Sequence, residues 1–139
     1  MTPKGQAALV TGGGSGLGAA TAARLCAAGA KVALLDIKIE ATRKIAADLG
    51  ALAIACDVTD ARAMETALAQ ARAAHGPARI LINCAGIAPA RRIVGRDGPM
   101  PLDEFERVIR VNLIGTFSGM FQGLRPLSVS RPRLRRGLV

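Results

Sequence analysis

The chain has 139 residues, half of them apolar, and its net charge is +9. This length suits one domain with a buried core, and no stretch reaches the roughly 18 consecutive apolar residues that a membrane-spanning helix requires. The three widely spaced cysteines, Cys26, Cys56 and Cys84, predict reduced thiols in a cytoplasmic protein and argue against a disulfide framework or a metal site.

The chain up to Gly86 alternates between strand-like and helix-like segments. Continuous apolar runs at 7–11, 31–36, 52–58 and 79–86 predict four buried strands. Segments 16–28, 39–49 and 61–74 predict helices, and Thr59 or Asp60 is a candidate cap for the third. This alternation predicts an α/β fold, a doubly wound parallel sheet with helices on both faces and the strand order 3-2-1-4.

The rest of the chain departs from this alternation. Residues 87–100 predict a loop rich in proline, glycine and arginine, and Pro101 begins a further helix. The helical pattern fades after Gln122, and Pro126 and Pro132 are expected to prevent a long continuation. One face of the helix is predicted to be apolar, and it consists of Leu102, Phe105, Ile109, Leu113 and Phe117.

The segment 123–139 differs from the rest in composition, because it carries five arginines and no acidic residue. Such a segment binds nucleic acid or anionic lipid in some proteins and is a solvated, disordered end in others. The absence of interleaved aromatic residues favours the second interpretation. We therefore expect an α/β domain at 1–122, an irregular Arg/Pro-rich tail at 123–139, and neither nucleic acid nor membrane as a partner.

The stretch TGGGSGLG, residues 11–18, lies between the first strand and the first helix. Glycines there let the backbone turn sharply and approach a pyrophosphate, whose charge the helix N-terminus favours. Asp36 follows Gly16 by twenty residues and ends the second strand. A carboxylate in that place accepts hydrogen bonds from both ribose hydroxyls and repels a 2′-phosphate. The pattern therefore predicts a dinucleotide site that favours NAD over NADP.

Four motifs in register connect this pattern with a known family. After residues 11–18 come Asp57-Val58, at the end of the third strand, then NCAG at 83–86 and VNLIGTF at 111–117. In these motifs and their order the chain resembles the short-chain dehydrogenase/reductases. The resemblance implies a Rossmann-type fold, a nicotinamide cofactor, and hydride transfer between NAD and a secondary alcohol or ketone.

The resemblance also implies roles for individual residues. Ser15 and Leu17 resemble contacts to the pyrophosphate and the nicotinamide side, and Asp57 and Val58 resemble contacts to the adenine. Asn112 resembles the family's helix asparagine, which holds a proton-relay water and is the one family catalytic position present. The set implied for cofactor binding, including the wall along the cofactor ribose at 83–86, is Gly12, Ser15, Gly16, Leu17, Gly18, Asp36, Asp57, Val58, Asn83, Cys84, Ala85 and Gly86.

The segment after the fourth strand resembles one group within the family. It is extended as in the enzymes that oxidise 3-hydroxyacyl-CoA thioesters or related hydroxysteroids. In that case Arg91, Arg92 and Arg96 would face CoA phosphates. The alternative is a solvated loop with three ordinary surface arginines. A small molecule, with acyl-CoA as one class, is therefore the expected substrate of the parent reaction.

The family's chemistry depends on residues that this sequence does not contain. It uses a serine and a Tyr-x-x-x-Lys motif, but the chain has no tyrosine, and its lysines all lie before residue 45. We therefore expect residues 1–122 to be the N-terminal half of a short-chain dehydrogenase, followed by a tail that arises from truncation or a shifted reading frame. Such a chain is expected to be inactive alone. The alternative is a non-catalytic dinucleotide-binding module that pairs with full-length subunits.

A four-stranded sheet in the order 3-2-1-4 leaves its fourth strand at an edge. That strand contains the apolar run Ile80–Ile82. Exposed apolar edge strands pair with other chains. The apolar face of the helix at 102–117 is also expected to lose its partners. We therefore expect marginal stability and self-association through this edge.

Overall fold

A computed structural model describes residues 2–96 and 98–129 of the chain. Its main sheet has four parallel strands in the order β3-β2-β1-β4, which confirms the predicted order. The strands are β1 (Ala7–Thr11), β2 (Lys31–Asp36), β3 (Leu52–Ala55) and β4 (Ala78–Asn83). Every residue of β1 is buried, as expected for a central strand of a parallel sheet.

Three helices connect these strands, and local sequence explains where they begin and end. They are α1 (Gly16–Ala27), α2 (Ile39–Leu49) and α3 (Ala61–His75). Gly50 ends α2 in the left-handed conformation, at φ 62°. The carboxylate of Asp60 caps α3 by accepting hydrogen bonds from the N–H groups of Arg62 and Ala63. The predicted bounds of all three helices hold to within a residue.

Alternate side chains of the strands point to opposite faces of the sheet and build two cores. On one face Leu9 and Leu35 pack with Met64 of α3. On the other face Val10 and Leu34 pack with small residues of α1 and α2. Helices cover both faces of a parallel sheet, so the architecture is the doubly wound Rossmann type that the sequence predicted.

Two strands are shorter than predicted because the chain turns early. β3 ends at Ala55 rather than at residue 58, since the carboxylate of Asp57 accepts hydrogen bonds from the N–H and the hydroxyl of Thr59, both at 2.8 Å. β4 ends at Asn83 rather than at residue 86, since the chain next bends around Thr11. Both early turns lie at the carboxyl edge of the sheet.

Residues 87–100 contain a short hairpin that the sequence analysis did not predict. Its strands are β5 (Val94–Gly95) and β6 (Gly98–Pro99), which pair antiparallel. Gly98 has a φ of 115°, a value that only glycine adopts readily. Two short strands therefore interrupt the segment that was expected to be a loop.

A long helical segment follows the hairpin in three parts. α4 (Leu102–Ile109) continues through a π-helical turn (Arg110–Gly115) into α5 (Thr116–Val129). The helical pattern was expected to fade after Gln122, but α5 continues for seven residues beyond it and for three beyond Pro126, because a proline inside a helix removes one hydrogen bond without always ending the helix. The remainder of the predicted tail, residues 130–139, lies outside the described residues. Within the part of the chain described, no helix has the length and apolar character needed to cross a bilayer.

This helical segment packs through its glycines rather than through its large apolar side chains. Gly115 and Gly119 are buried. The predicted apolar face is exposed, as expected for a face without partners: Phe117 is 62% exposed and stacks on Phe121, with ring centroids 6.0 Å apart. The spacing therefore located the apolar face, but the opposite face meets the sheet. The exposed face comprises Leu102, Phe105, Ile109, Leu113 and Phe117.

We expect Gly115→Ala to lower the free energy of unfolding by about 1–3 kcal/mol, as overpacking does. A Cβ at Gly115 would lie 2.6 Å from Cγ2 of Val58, so the helix would have to move away from the turn after β3. The matched control is Gly123→Ala, whose new Cβ would meet Leu81 at an ordinary 3.6 Å. That control gains helix propensity and is expected to unfold at the same or a higher urea concentration. Equal loss in both variants would contradict the prediction.

Candidate functional site

The carboxyl ends of the four parallel strands border a cleft of about 510 Å³. Ligands bind at this edge in open α/β sheets. The glycine loop after β1 and the turns after β2, β3 and β4 line the cleft, and one side of α4 and the π-helical turn completes it. The predicted site residues that line it are Gly12, Ser15, Gly16, Leu17, Gly18, Asp36, Asp57, Val58, Cys84, Ala85 and Gly86. Asn83 and Asn112 are not among the lining residues.

The glycine loop requires glycine for space as well as for conformation. Gly12 has a φ of 67°, and a Cβ there would lie 2.6 Å from the backbone nitrogen of Ala85. A Cβ at Gly18 would lie 2.0 Å from the carbonyl oxygen of Gly12. Ser15 is the N-cap of α1 and makes no capping hydrogen bond through its side chain. The first turn of α1 therefore presents N–H groups that can bind an anion.

Asp36 is held on two sides by backbone N–H groups. The N–H of Gly14 donates to Oδ2 and the N–H of Lys38 donates to Oδ1, both at 2.9 Å. A carboxylate accepts at about four positions, so each oxygen keeps a further lone pair. Because the side chain also lines the cleft, it can accept hydrogen bonds from two ligand hydroxyls, while its charge repels a phosphate.

The turn after β3 places a carboxylate and an apolar side chain in the cleft. Oδ1 of Asp57 is engaged by Thr59, as described above. Val58 is buried beneath the π-helical turn at Gly115. Cys56 precedes them and is also buried. Burial, followed by the charges of Asp57 and Asp60, raises the pKa of the Cys56 thiol to about 11, against an ordinary value of 9.0.

We expect the stability of the chain to fall between about pH 9 and pH 11, in part because of Cys56. The folded state keeps the thiol proton in this range while the unfolded state loses it, so rising pH favours unfolding. Urea unfolding of the wild type and of Cys56→Ala at pH 8 and at pH 10.5 measures this contribution. The variant should lose less stability than the wild type between the two pH values, and an equal loss would contradict the assignment.

The NCAG segment is tied to the end of β1 through Thr11. The N–H of Cys84 donates to the Thr11 carbonyl at 3.1 Å, and the N–H of Ala85 donates to the Thr11 hydroxyl at 3.3 Å. That hydroxyl in turn donates to Oδ1 of Asn83 at 3.4 Å. Asn83 thus contacts β1, whereas the three residues after it form the cleft wall. All three cysteines of the chain, Cys84 included, are unpaired thiols.

Asn112 lies in the π-helical turn and binds the backbone just after the NCAG segment. Its Nδ2 donates to the Ile87 carbonyl, and its Oδ1 accepts from the Ile87 N–H, both at 2.8 Å. Helical turns of this type often mark functional sites. The two bonds fix the helix against the cleft wall and engage both polar atoms of the amide. A role for Asn112 in holding a water remains a prediction.

Arg107, Arg110 and Val111 line the cleft although the sequence analysis did not single them out. They recur at the i, i+3, i+4 spacing of one helix face. That spacing is visible in the sequence, but only the contact of Asn112 with Ile87 shows which face meets the cleft. The two arginines add positive charge to a cleft that also contains Asp36. The other lining residues missed as site residues are Leu35, Ile37, Lys38, Cys56, Thr59 and Ile87.

The three arginines of the loop after β4 are not equivalent. Arg91 forms an ion pair with Glu104, near the start of α4. Arg92 and Arg96 are exposed. The ion pair engages one of the three side chains expected to face phosphates, and among the residues that the structure describes no ion pair engages the other two.

Comparison with known proteins agrees with this geometry. The family model described as short chain dehydrogenase matches residues 6–133. The 3-hydroxyacyl-CoA dehydrogenase type-2 of Bos taurus is 44% identical over 119 residues, which are 83% of this chain and 46% of the relative. The 2-dehydro-3-deoxy-L-rhamnonate dehydrogenase (NAD(+)) of Sphingomonas sp. is 43% identical over 114 residues, 81% of this chain and 45% of the relative. The chain thus spans about half the length of these relatives.

Solved structures show the same relation. A double variant of a short-chain dehydrogenase/reductase of Serratia marcescens superimposes with a TM-score of 0.80 and 31% sequence identity. The superposition covers 90% of this chain and 52% of that protein. The family model, the relatives and the sheet order agree over most of the residues. The chain therefore belongs to the short-chain dehydrogenase family of oxidoreductases.

Proposed function

We propose that the cleft binds NAD, with the pyrophosphate on the glycine loop and the adenosine ribose on Asp36. The family uses nicotinamide dinucleotides, which transfer hydride when they are bound beside a substrate. The observation that carries the proposal is the carboxylate of Asp36, which is held by Gly14 and Lys38 and lines the cleft. Gly12 and Gly18 also support the proposal, because a Cβ at either position would clash with backbone atoms and distort the loop that would hold the pyrophosphate.

The position of Asp36 also favours NAD over NADP. A 2′-phosphate would place negative charge against the carboxylate, whereas a hydroxyl can donate to it. Lys38 is the nearest basic residue in sequence, and the glycine loop at 11–18 contains no basic residue that would bind a 2′-phosphate. The repulsion is therefore expected to outweigh any attraction to this lysine.

Thermal unfolding in the presence of either dinucleotide tests the proposal. A ligand that binds only the folded state stabilises it by about 2.7 kcal/mol at a hundred times its Kd. NADH is expected to raise the Tm by several degrees, and NADPH at the same concentration by less. No shift with either compound would contradict dinucleotide binding, and a larger shift with NADPH would contradict the preference.

The reaction of the parent protein is proposed to be hydride transfer between NAD and a secondary alcohol or ketone, with a 3-hydroxyacyl-CoA as one substrate class. The name of the bovine relative supports this class. Arg92 and Arg96 are exposed on the loop after β4 and could meet CoA phosphates. CoA should protect these two arginines from phenylglyoxal, a reagent for arginine, more than it protects Arg91, which is paired with Glu104.

We propose that these 139 residues bind the cofactor without turning over substrate. The family's proton donor is a tyrosine, and this sequence contains none. The parent enzyme would supply it from the part of the fold that lies beyond the region of similarity. We place the chain in the cytoplasm as part of this proposal, because its cysteines are unpaired. A dehydrogenase assay of the purified chain should give no turnover, and clear turnover would overturn the proposal.

A second candidate function is a non-catalytic module that pairs with another copy of the chain or with a full-length subunit. The observation that favours it is β4, which ends the main sheet among the described residues and is only half buried over most of its length. An unpaired edge of this kind recruits further strands. Sedimentation at increasing concentration should show dimers or larger species. A monomer over the whole range would exclude pairing between copies of the chain, and co-sedimentation with a full-length short-chain dehydrogenase subunit tests the other form of the module.

A further inference from the structure

We propose that Thr42 is a positioning residue for dinucleotide recognition, although it does not line the cleft. The proposal rests on the proposed binding of NAD. Thr42 lies in the first turns of α2 and is 0% exposed. Its hydroxyl is therefore a buried polar group whose contacts are all within the protein.

The hydroxyl of Thr42 stabilises the turn that carries Asp36. It donates to the carbonyl of Lys38 at 2.9 Å, and the N–H of Thr42 donates to the same carbonyl at 3.1 Å. Lys38 is the N-cap of α2 and has no side-chain cap of its own. Its N–H is one of the two groups that hold Asp36. Thr42 thus helps to fix Asp36 from the side of α2, through the backbone of Lys38.

The same hydroxyl also limits the position of the glycine loop. A Cβ at Gly14 would lie 2.6 Å from Oγ1 of Thr42 and 2.9 Å from Oδ2 of Asp36. The backbone of Gly14 is therefore packed directly against both side chains, and its N–H is the second group that holds Asp36. A larger group in place of the hydroxyl would move Gly14 away from the carboxylate.

Thr42 therefore meets both elements that orient the ribose acceptor. The turn at Lys38 and the loop at Gly14 each donate one hydrogen bond to Asp36. The Thr42 hydroxyl donates to the carbonyl of Lys38 and fills the space that a Cβ at Gly14 would need. The side chain sets how Asp36 is presented to a ribose without touching the ribose. It should consequently affect the discrimination between a 2′-hydroxyl and a 2′-phosphate.

Two substitutions separate this role from ordinary packing. Thr42→Val keeps the shape and replaces the hydroxyl with a methyl group, which needs more room against Gly14. Thr42→Ser keeps the hydroxyl. We expect Thr42→Val to weaken NADH binding about fivefold, in line with one lost hydrogen bond, and to leave NADPH binding unchanged. The ratio of NADH affinity to NADPH affinity should therefore fall in Thr42→Val and equal the wild-type ratio in Thr42→Ser.

Amide hydrogen exchange of Gly14, measured by NMR without any dinucleotide, gives an independent result. The exchange should be at least about fivefold faster in Thr42→Val than in the wild type, because the bond to Asp36 is weakened, and unchanged in Thr42→Ser. Wild-type exchange together with a wild-type affinity ratio in Thr42→Val would overturn the inference. If the wild type binds neither dinucleotide, the proposed function fails, and Gly14 exchange alone decides the role of Thr42.

Discussion

Gly18→Ala is expected to abolish dinucleotide binding, with a loss of at least about a hundredfold in NADH affinity. The added Cβ would lie 2.0 Å from the carbonyl oxygen and 2.7 Å from the carbonyl carbon of Gly12. Neither atom can rotate away, because both belong to the backbone of the loop. The loop and α1 must therefore separate, which removes the anion-binding geometry and costs about 1–3 kcal/mol of stability.

Gly50→Ala is the matched control for this prediction. Gly50 has a φ of 62°, so alanine there costs about 1 kcal/mol, but nothing lies within 4 Å of the new Cβ and the residue is remote from the cleft. Its NADH affinity should equal that of the wild type. Isothermal titration of both variants, with melting curves to correct for the unfolded fraction, makes the comparison. Wild-type affinity in Gly18→Ala would show that the loop does not hold the ligand.

Asp36→Ala is expected to reduce NADH affinity by about 10- to 100-fold and to reverse or remove the preference over NADPH. The carboxylate is the acceptor for Gly14 and Lys38 and the expected acceptor for the ribose, and hydrogen bonds to a charged group contribute about 1.5–3 kcal/mol. The 2′-phosphate of NADPH loses a repulsive partner at the same time. NADPH affinity should therefore fall less than NADH affinity.

Asp48→Ala controls for the change in net charge. Asp48 is an exposed acid near the end of α2, outside the cleft. Its removal should leave both affinities within about twofold of the wild type, since an exposed charge beyond a Debye length of about 8 Å is largely screened. Titration with NADH and NADPH in the same buffer measures both. An equal fall with both dinucleotides in Asp36→Ala would indicate disruption of the loop rather than loss of discrimination.

The central part of the fold could be predicted from sequence because local signals and tertiary context agree there. β1, β2 and α2 occupy the predicted residues, since their apolar runs end at residues with clear turn or cap chemistry, such as Gly50. β3 was predicted too long, because an apolar run does not show that the carboxylate of Asp57 will form a turn with Thr59.

The helical segment after the hairpin was harder to predict for a different reason. Apolar periodicity usually marks the face that packs, but here close backbone approach at Gly115 and Gly119 decides the packing. Glycine has no side chain to give a hydrophobic signal. The sequence analysis missed Arg107 and Arg110 as cleft residues for the same reason, because their positions depend on which face of this helix meets the sheet.

The candidate site was predictable where the motif lies on the backbone turns after the strands. The glycine loop, Asp36 and Asp57 all reach one cleft because parallel strands end at the same edge. Asn83 was grouped with them by its place in NCAG, yet it contacts Thr11. No sequence motif indicates that Thr42 positions Asp36, since this role depends on a contact between a helix and a loop.

The glycine-mediated packing of α5 has a consequence for how the chain opens. The helical segment meets the rest of the fold through Gly115 of the π-helical turn and Gly119 of α5, while Phe117 and Phe121 are more than half exposed. We therefore expect this segment to be a cooperative unit of low local stability that detaches before the strands separate. Limited proteolysis should accordingly cut within α5 first and leave the sheet with α1, α2 and α3 as the resistant product.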